Sequence, residues 1–347
     1  MTLGAVTPGA VTPGRGAPAA RRSARGWAIA ATGAALAGCS GMQSTLDPAG
    51  EAADRVATLF WIMLAGAAVI WTGVMATAIA TARRKGPPVS QKRAQWFIIG
   101  AGAVFPTLVL TLLLAHGLRL MPELRAGGGD LKIRVQGEQF WWRVTYLPEG
   151  GPPVVSANEL RLPAGAVVEL ELTSPDVIHS FWIPAIAGKT DMIPGRVTRQ
   201  LLKPVKPGLY RGACAEFCGT GHTLMAFTAE VMPAEDFARW LAAEGRDAAP
   251  PAPGSAAARG ARVFHEQGCG ACHSIRGTGH RGTIGPDLTH LGSRHSIGAG
   301  ILPNTGPHIA DFIRATATVK PGVLMPAYGG IGDDDLSALA AYLEGLQ

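Results

Sequence analysis

Charged residues are scarce in this chain. Asp, Glu, Lys and Arg make up 16% of its 347 residues, whereas apolar residues make up 47%, a balance that argues against a fully soluble protein and favours membrane segments. The formal net charge is +6, but the basic excess lies within residues 1–129, beside the apolar stretches. Because no clustered basic face remains elsewhere, the sequence also argues against a nucleic-acid partner.

Cysteine is scarce as well, and the spacing of the five cysteines leaves no obvious pair for a structural disulfide. They comprise a single residue, a C-x3-C pair and a C-x2-C pair: Cys39, Cys214 with Cys218, and Cys269 with Cys272. A chain of this length can hold two or more domains, so we expect a modular protein.

Acidic residues are absent from two long apolar stretches, 57–81 and 96–118. Each is near the roughly 20 residues that a helix needs to cross hydrocarbon, so we predict a hairpin of two transmembrane helices. Lys and Arg crowd the loop between them, at residues 83–93, and the positive-inside rule places that loop in the cytoplasm. Both termini, and everything after about residue 122, would then lie on the periplasmic or extracytoplasmic side of a bacterial inner membrane, with the hairpin in membrane lipid.

Residues 1–38 are predicted to be a leader. Residues 1–20 repeat the phrase Gly-Ala-Val-Thr-Pro-Gly and have too few apolar anchors to fold alone. A short apolar run then ends in Leu36-Ala37-Gly38-Cys39, which resembles the lipobox of a bacterial lipoprotein signal. The resemblance implies that Cys39 is the lipidated first residue of the mature chain; a chance small-residue sequence before an ordinary cleavage site, or an uncleaved tail, is the alternative.

Changes of pattern divide the rest of the chain. From residue 130 to about 232, short alternating runs between Pro and Gly turns indicate an antiparallel β-domain, which a helix at 234–243 closes. A segment rich in Ala and Pro then has the composition of a linker, and helical stretches follow near 258–267, 307–316 and 334–346. The sequence thus predicts four parts: a transmembrane hairpin at 39–125, a β-domain at 130–246, a linker at 247–258 and an all-α domain at 259–347.

The densest candidate chemistry lies in the β-domain, in Cys214-x3-Cys218-x3-His222-x2-Met225, with His179 about 35 residues upstream. Thiolates, imidazoles and a thioether together are the ligand set that copper prefers. Zinc would give no reason for a methionine at this spacing. The alternative is a disulfide between the two cysteines, with His179 and Met225 as packing residues, although a disulfide does not need the downstream histidine and methionine.

This stretch, together with Asp176-Val-Ile-His179-Ser-Phe and Lys189-Thr-Asp191-Met-Ile-Pro194-Gly-Arg196, resembles the copper A loop of cytochrome oxidase subunit II. The resemblance implies an all-β, cupredoxin-like Greek-key barrel that holds a binuclear copper A centre. It implies that Cys214 and Cys218 supply two bridging thiolates. His179 and His222 would supply two terminal imidazoles. Met225 would supply a weak axial thioether, and Glu216 a backbone carbonyl.

The resemblance also gives the Glu216 carboxylate a role, which is to reach a magnesium ion shared with the catalytic subunit I. Two thiolate-bridged coppers would share one electron, so each bond would change little and reorganisation on transfer would be small. Such a site passes electrons on and makes no product.

Gln139-Phe140-Trp141-Trp142 departs from the family pattern, which commonly has a tryptophan at the position of Phe140 as the point where soluble cytochrome c delivers electrons. We therefore expect a fused heme domain to deliver the electron here, with Trp141 or Trp142 packed beneath the copper loop. Core packing of the aromatic cluster is the alternative. The acidic residue that many members of the family have near the start of the second membrane helix is also missing. The resemblance therefore implies no proton uptake at that point of this chain.

The second cysteine pair lies in Cys269-Gly-Ala-Cys272-His273, the attachment sequence of c-type heme, in which two thiols add to the vinyl groups and the next residue ligates iron. Met325, in Val-Leu-Met325-Pro-Ala-Tyr, lies where a class I cytochrome c places its sixth ligand. The resemblance implies an all-α class I cytochrome c domain with covalent heme c, whose iron carries electrons and binds no substrate. A chance C-x2-C-H sequence, which also occurs in zinc proteins, is the alternative.

The flanks of this motif agree with the resemblance. Gly260 and Phe264 would belong to a first helix that packs on Tyr342 of the last helix. Pro286 resembles the residue whose carbonyl orients the ligand histidine.

Together the two resemblances imply the subunit at which electrons enter a proton-pumping cytochrome c oxidase. Cytochrome c would give electrons to heme c, then copper A, then the heme–copper pair of subunit I, with subunits I and III as partners. Oxygen is reduced in subunit I, so no residue of this chain has a catalytic role. The alternative from another class is a copper-handling or assembly protein, which would need no covalent heme.

Overall fold

A computed structural model of the protein describes residues 40–125 and 128–347. The predicted leader, 1–38, and the lipobox residue Cys39 lie outside the described residues. Residues 42–347 form one compact unit.

Two apolar helical segments open the described chain. Helix α1 spans Glu51–Arg83, and the second segment comprises α2 (Gln91–Ile99), a π-helical turn (Gly100–Val104) and α3 (Phe105–Arg125). Pro106 follows the π-turn and has no backbone N–H to donate, which accounts for the break in the hydrogen-bond pattern. Both segments are long and apolar enough to cross a membrane, as predicted.

Ten strands form a sandwich of two five-stranded sheets, in the orders β3-β2-β1-β5-β8 and β4-β10-β9-β6-β7. The strands are β1 Leu131–Glu138, β2 Trp141–Leu147, β3 Val154–Ala157, β4 Glu159–Pro163, β5 Val168–Thr173, β6 His179–Trp182, β7 Thr190–Met192, β8 Thr198–Leu202, β9 Gly208–Cys214 and β10 Ala226–Met232. Their inward side chains form one core, which includes Ile133, Leu170, Phe181 and Phe227.

The prediction of a purely antiparallel β-domain is wrong in one respect. Strand β1 pairs with β5, and β4 pairs with β10, in parallel, while the other pairs are antiparallel. Alternation of apolar and polar residues shows that one face of a strand is buried but says nothing about the direction of its neighbour. The all-β, cupredoxin-like architecture itself is confirmed.

Helix α4 (Ala234–Glu244) closes the sandwich near its predicted position. Phe237 and Trp240 on this helix pack against Tyr146 of β2, with ring centroids 6.1 and 5.0 Å away. The helix therefore seals the edge of the core before the chain leaves the domain.

The remaining domain is built from helices α5 (Ala256–Glu266), α6 (Gly306–Arg314), α7 (Thr316–Val319) and α8 (Asp333–Glu344), with a two-residue ribbon of β11 (Ser296–Ile297) and β12 (Leu302–Pro303). The α5 and α8 backbones touch at Gly260, where a Cβ would lie 2.0 Å from the Ala338 carbonyl oxygen. Phe264 packs edge-on against Tyr342, at 6.0 Å. This is the predicted contact between the first and last helices.

The β-sandwich and the helical domain lie against each other. Arg276 of the helical domain donates to the backbone oxygens of Val155, at 3.3 Å, and Glu244, at 2.5 Å. The backbone N–H of Ala226, at the start of β10, donates to the carbonyl oxygen of Ala299, at 3.1 Å. The two domains are therefore docked through charged side chains and through backbone.

Candidate copper and heme sites

The ends of two neighbouring strands begin the copper site. His179 is the first residue of β6 and Cys214 the last residue of β9, and these strands are antiparallel with Phe181 opposite Cys214. The chain then loops through Cys218 and His222 and re-enters the sandwich directly after Met225. The sheet thus fixes one end of the ligand set, and a short loop supplies the rest.

The predicted ligand atoms converge in the structure. Cys214 Sγ lies 3.8 Å from His179 Nδ1 and 3.8 Å from Cys218 Sγ. Cys218 Sγ lies 3.6 Å from His222 Nδ1 and 3.9 Å from Met225 Sδ. Four of the predicted ligands are buried: His179, Cys214, Cys218 and Met225. Their donor atoms therefore lie close together and away from water.

The sulfur–sulfur distance excludes a disulfide in this structure, since a disulfide bond measures about 2.05 Å. Two thiolates that bind the same metal ion at about 2.3 Å, with a tetrahedral angle between the two bonds, have their sulfur atoms about 3.8 Å apart. The distance between Cys214 and Cys218, 3.8 Å, therefore suits sulfurs that share metal. The carbonyl oxygen of Glu216 lies 3.2 Å from Cys214 Sγ and completes the donor set.

His179 is held in a fixed orientation. Its Nε2 makes a 2.8 Å hydrogen bond to the Asp176 carboxylate, which leaves Nδ1 facing the cysteines. Gly137 makes room for the ring, because a Cβ there would lie 3.0 Å from it. A carboxylate on the far nitrogen of a ligand histidine fixes its tautomer and raises its basicity.

The two thiols of the copper site titrate as a pair. The hydrogen bond from the Cys218 thiol lowers the pKa of Cys214 to about 3, with His179 also contributing. The same contact, together with burial, raises the pKa of Cys218. Without metal the pair therefore holds a single proton.

Burial by itself would lower the pKa of His179, but its contacts with Cys214 and Asp176 outweigh that effect and raise the pKa.

The Glu216 carboxylate lies at the surface of the copper domain. Its side chain is 46% exposed and lies 3.5 Å from Lys189 Nζ. It is therefore free to meet a partner outside the chain, which the proposed magnesium contact requires.

The aromatic segment forms the tip of the β1–β2 hairpin. Phe140 is buried beneath the copper loop, where a Cβ at Gly221 would come within 2.5 Å of its ring. Gln139 beside it donates to the Cys218 carbonyl oxygen, at 2.5 Å. Trp142 is buried under His179, with centroids 6.3 Å apart, while Trp141 stacks with Arg143 at the edge of the domain.

A crevice in the helical domain brings together the predicted heme ligands Cys269, Cys272, His273 and Met325, within a cavity of about 370 Å³. His273 Nδ1 donates to the Pro286 carbonyl oxygen, at 2.8 Å, as the family resemblance implied. Burial lowers the pKa of His273, which keeps its other nitrogen neutral and available to ligate a metal.

The same crevice is lined by the β-sandwich, through residues that include Glu138, Phe140, Trp141 and Asp176. Phe140 also touches the loop that carries Met325, because a Cβ at Gly322 would lie 2.9 Å from its ring. One aromatic ring therefore contacts both cofactor loops.

Sequence reasoning missed several supporting residues. Asp176 and Gln139 support the copper site. Asp176 bonds to His179, three residues along the chain, at 2.8 Å, whereas Gln139 reaches the Cys218 carbonyl oxygen from a distant segment, which no spacing reveals. Lys320 also lies buried in the heme crevice. The sequence did contain a feature that singles out Lys320, since it is the sole lysine after Lys206.

Comparison with known proteins gives two family matches. Residues 152–232 match the family described as "Cytochrome C oxidase subunit II, periplasmic domain". Residues 257–347 match the family described as "Cytochrome c".

Two curated relatives align with nearly the whole chain. Cytochrome c oxidase subunit 2 of Alkalihalophilus pseudofirmus is 33% identical over 331 residues, which cover 90% of this chain and 94% of the relative. The subunit 2 of Bacillus subtilis is 28% identical over 343 residues, with the same coverage. Among solved structures, the periplasmic domain of subunit II of cytochrome oxidase of Bradyrhizobium japonicum is 31% identical, covering 34% of this chain and 95% of that chain, with a TM-score of 0.32.

Proposed function

The chain belongs to the cytochrome c oxidase subunit 2 family, and we propose that it is the subunit at which electrons enter a proton-pumping cytochrome c oxidase. Electrons from cytochrome c arrive at the heme domain, pass to the copper domain and leave for the oxygen-reducing site of subunit I. The chain is thus part of an oxidoreductase in which oxygen is reduced elsewhere.

One observation carries this proposal: a single ring, Phe140, contacts the copper loop at Gly221 and the loop of Met325 at Gly322, and lines the heme crevice. A metal-storage protein has no need of this adjacency. A relay does, because the rate of electron transfer falls steeply with the distance between carriers.

In the copper domain, the proposed ligands are the side chains of His179, Cys214, Cys218, His222 and Met225, together with the Glu216 carbonyl. A binuclear copper A centre would supply one-electron chemistry there. The chain holds the site rigid and dry: Asp176 orients His179, and burial excludes water from the sulfurs.

In the heme domain, Cys269 and Cys272 would attach heme c covalently, and His273 and Met325 would ligate its iron. The Pro286 carbonyl fixes the orientation of His273. With both axial positions filled from the chain, no open position is left for a substrate, so this domain serves as a carrier.

We propose that Phe140 bridges the two sites and that Trp142 supports the copper side from beneath His179. Trp141 lines the heme crevice and extends the path toward the heme. The contact with subunit I is assigned to the exposed Glu216, through a shared magnesium ion. Subunit III completes the set of proposed partners.

For the location of the chain, we propose a bacterial inner membrane, with two spanning helices and the copper and heme domains on the periplasmic side. The basic loop at residues 83–93 supports this orientation. A lipidated Cys39 would add an anchor on the same side. The proposed parts remain 1–38, 39–125, 130–246, 247–258 and 259–347, although helix α5 begins at Ala256, within the predicted linker.

Spectroscopy of the purified chain tests the proposal against the alternative of a copper-handling protein. A relay shows a mixed-valence binuclear copper signal in electron paramagnetic resonance and a c-type α-band in the same preparation. A copper carrier shows labile, single copper and no heme band. Full occupancy by a disulfide between Cys214 and Cys218, without copper, would overturn the assignment.

A further inference from the structure

Lys320 occupies an unusual place. It is the sole lysine between residue 207 and the C-terminus, yet it is only 2% exposed. Lysine is almost never fully buried unless it is paired, because an ammonium group loses several kcal/mol of hydration in a protein interior. Its burial therefore calls for a compensating group.

The chain supplies little to compensate the charge of the buried Lys320 ammonium group. Lys320 Nζ donates to the Gly298 carbonyl oxygen, at 2.5 Å. Within residues 40–125 and 128–347, no carboxylate forms an ion pair with it. Burial lowers the pKa of Lys320 to about 7, and an electrostatic interaction with Cys218 only partly opposes the shift.

Two further polar groups share the crevice with Lys320. Arg294 Nε and Ser296 Oγ are buried and have no hydrogen-bond partner among the residues that the structure describes. Both residues, like Lys320, line the cavity that contains the heme ligands. Arg294 Nη2 donates to the backbone oxygen of Asp287, but the Asp287 carboxylate is paired with Arg276. The crevice thus holds two buried basic side chains, Lys320 and Arg294, that form no ion pair within the described part of the chain.

We propose that Lys320 binds a carboxylate of the heme, with Arg294 and Ser296 completing a site for the acidic edge of the porphyrin. The inference rests on the proposed heme function. A c-type heme uses its vinyl groups for attachment and retains two carboxylates, which matches the two buried cations. Each unpartnered donor then gains an acceptor.

The position of Lys320 also connects it to the copper domain. Its neighbour Gly322 meets Phe140, and a Cβ at Gly322 would lie 3.3 Å from Thr220 in the copper loop. The cation is therefore placed between the two cofactor sites. A buried positive charge stabilises the reduced form of a nearby centre, because the reduced form is the more negative one.

The test uses the full-length protein with both cofactors. Lys320→Gln keeps a hydrogen-bond donor toward Gly298 but removes the charge, Lys320→Arg keeps the charge, and Arg262→Gln removes an exposed cation from the same domain. Optical potentiometry of the α-band gives the ferrous-to-ferric ratio at a fixed ambient potential. Redox-difference infrared spectra report the heme carboxylates.

Under the proposal, Lys320→Gln lowers the ferrous-to-ferric ratio about tenfold and shifts a carboxylate band. Lys320→Arg and Arg262→Gln stay within about twofold of the unmodified protein. If Lys320→Gln does not retain heme, Arg294→Gln takes its place with the same expected result. An unchanged ratio and unchanged bands, with the copper and heme signals intact, would overturn the proposal while leaving the electron-relay function standing.

Discussion

At the scale of single residues, the copper site depends on how Cys214 and Cys218 share a proton. Cys214 has a lowered pKa, and Cys218 has a raised one. Between these two pKa values the chain without copper therefore holds one thiolate and one thiol, whereas bridging copper needs two thiolates.

We predict that copper uptake by the metal-free chain at pH 8 releases about one proton, which comes from Cys218. Because protons compete with the metal, the apparent affinity falls about tenfold for each unit of pH below that. Calorimetric titrations in two buffers of different ionisation enthalpy measure the proton count. Uptake without proton release would show that both sulfurs are already ionised.

Gly221 tests how tightly the copper loop and the hairpin tip fit together. In Gly221→Ala the added methyl group would meet the Phe140 ring, 2.5 Å from Cδ2, so the loop or the ring must move. We expect a loss of about 1–3 kcal/mol in the free energy of unfolding and a changed copper hyperfine pattern. Gly188→Ala is the matched control, since nothing lies within 4 Å of its Cβ position; equal effects in the two variants would refute the close fit.

At the scale of elements, the sequence was most informative where a pattern repeats over many residues. Helix α4 was predicted to within about one residue and the long apolar helices to within about seven residues at their ends, because long apolar runs and helical apolar spacing indicate helices directly. The parallel pairing of β1 with β5, and of β4 with β10, was not predictable, because pairing direction depends on chain crossovers. The candidate ligands could be singled out from the sequence because metal chemistry favours both residue type and spacing, whereas Gln139 and Lys320 make contacts between remote segments that spacing does not reveal.

The docking of the two domains also belongs to this scale, and Arg276 is its most connected side chain. It donates to the Val155 and Glu244 carbonyl oxygens and pairs with Asp287. Hydrogen bonds from a charged group contribute about 1.5–3 kcal/mol each. We therefore expect Arg276→Ala to release the heme domain and to speed proteolysis of the linker at residues 250–255 about tenfold or more.

Arg262→Ala is the control for this experiment, because Arg262 is exposed on α5. The α-band shows whether the heme domain is still folded. Cleavage at the unmodified rate in Arg276→Ala, with the band intact, would mean that the contacts of Arg276 do not hold the domains together.

At the scale of the whole molecule, the arrangement of helices and domains predicts one orientation in the membrane. Protease added to intact, wall-stripped cells should cut the linker at residues 250–255. The basic loop between α1 and α2 should be cut only after the cells are broken open. Protection of the linker in intact cells, or cleavage of the loop, would reverse the proposed orientation.

Under the proposed function, one electron moves from the heme domain to the copper domain within a single chain. Flash photoreduction of the purified full-length protein tests it most directly, by following the decay of the ferrous α-band and the loss of the oxidised copper absorbance. We predict that the two changes share one rate constant, which does not vary with protein concentration. A rate that rises in proportion to concentration, or an electron that stays on the heme, would contradict this account.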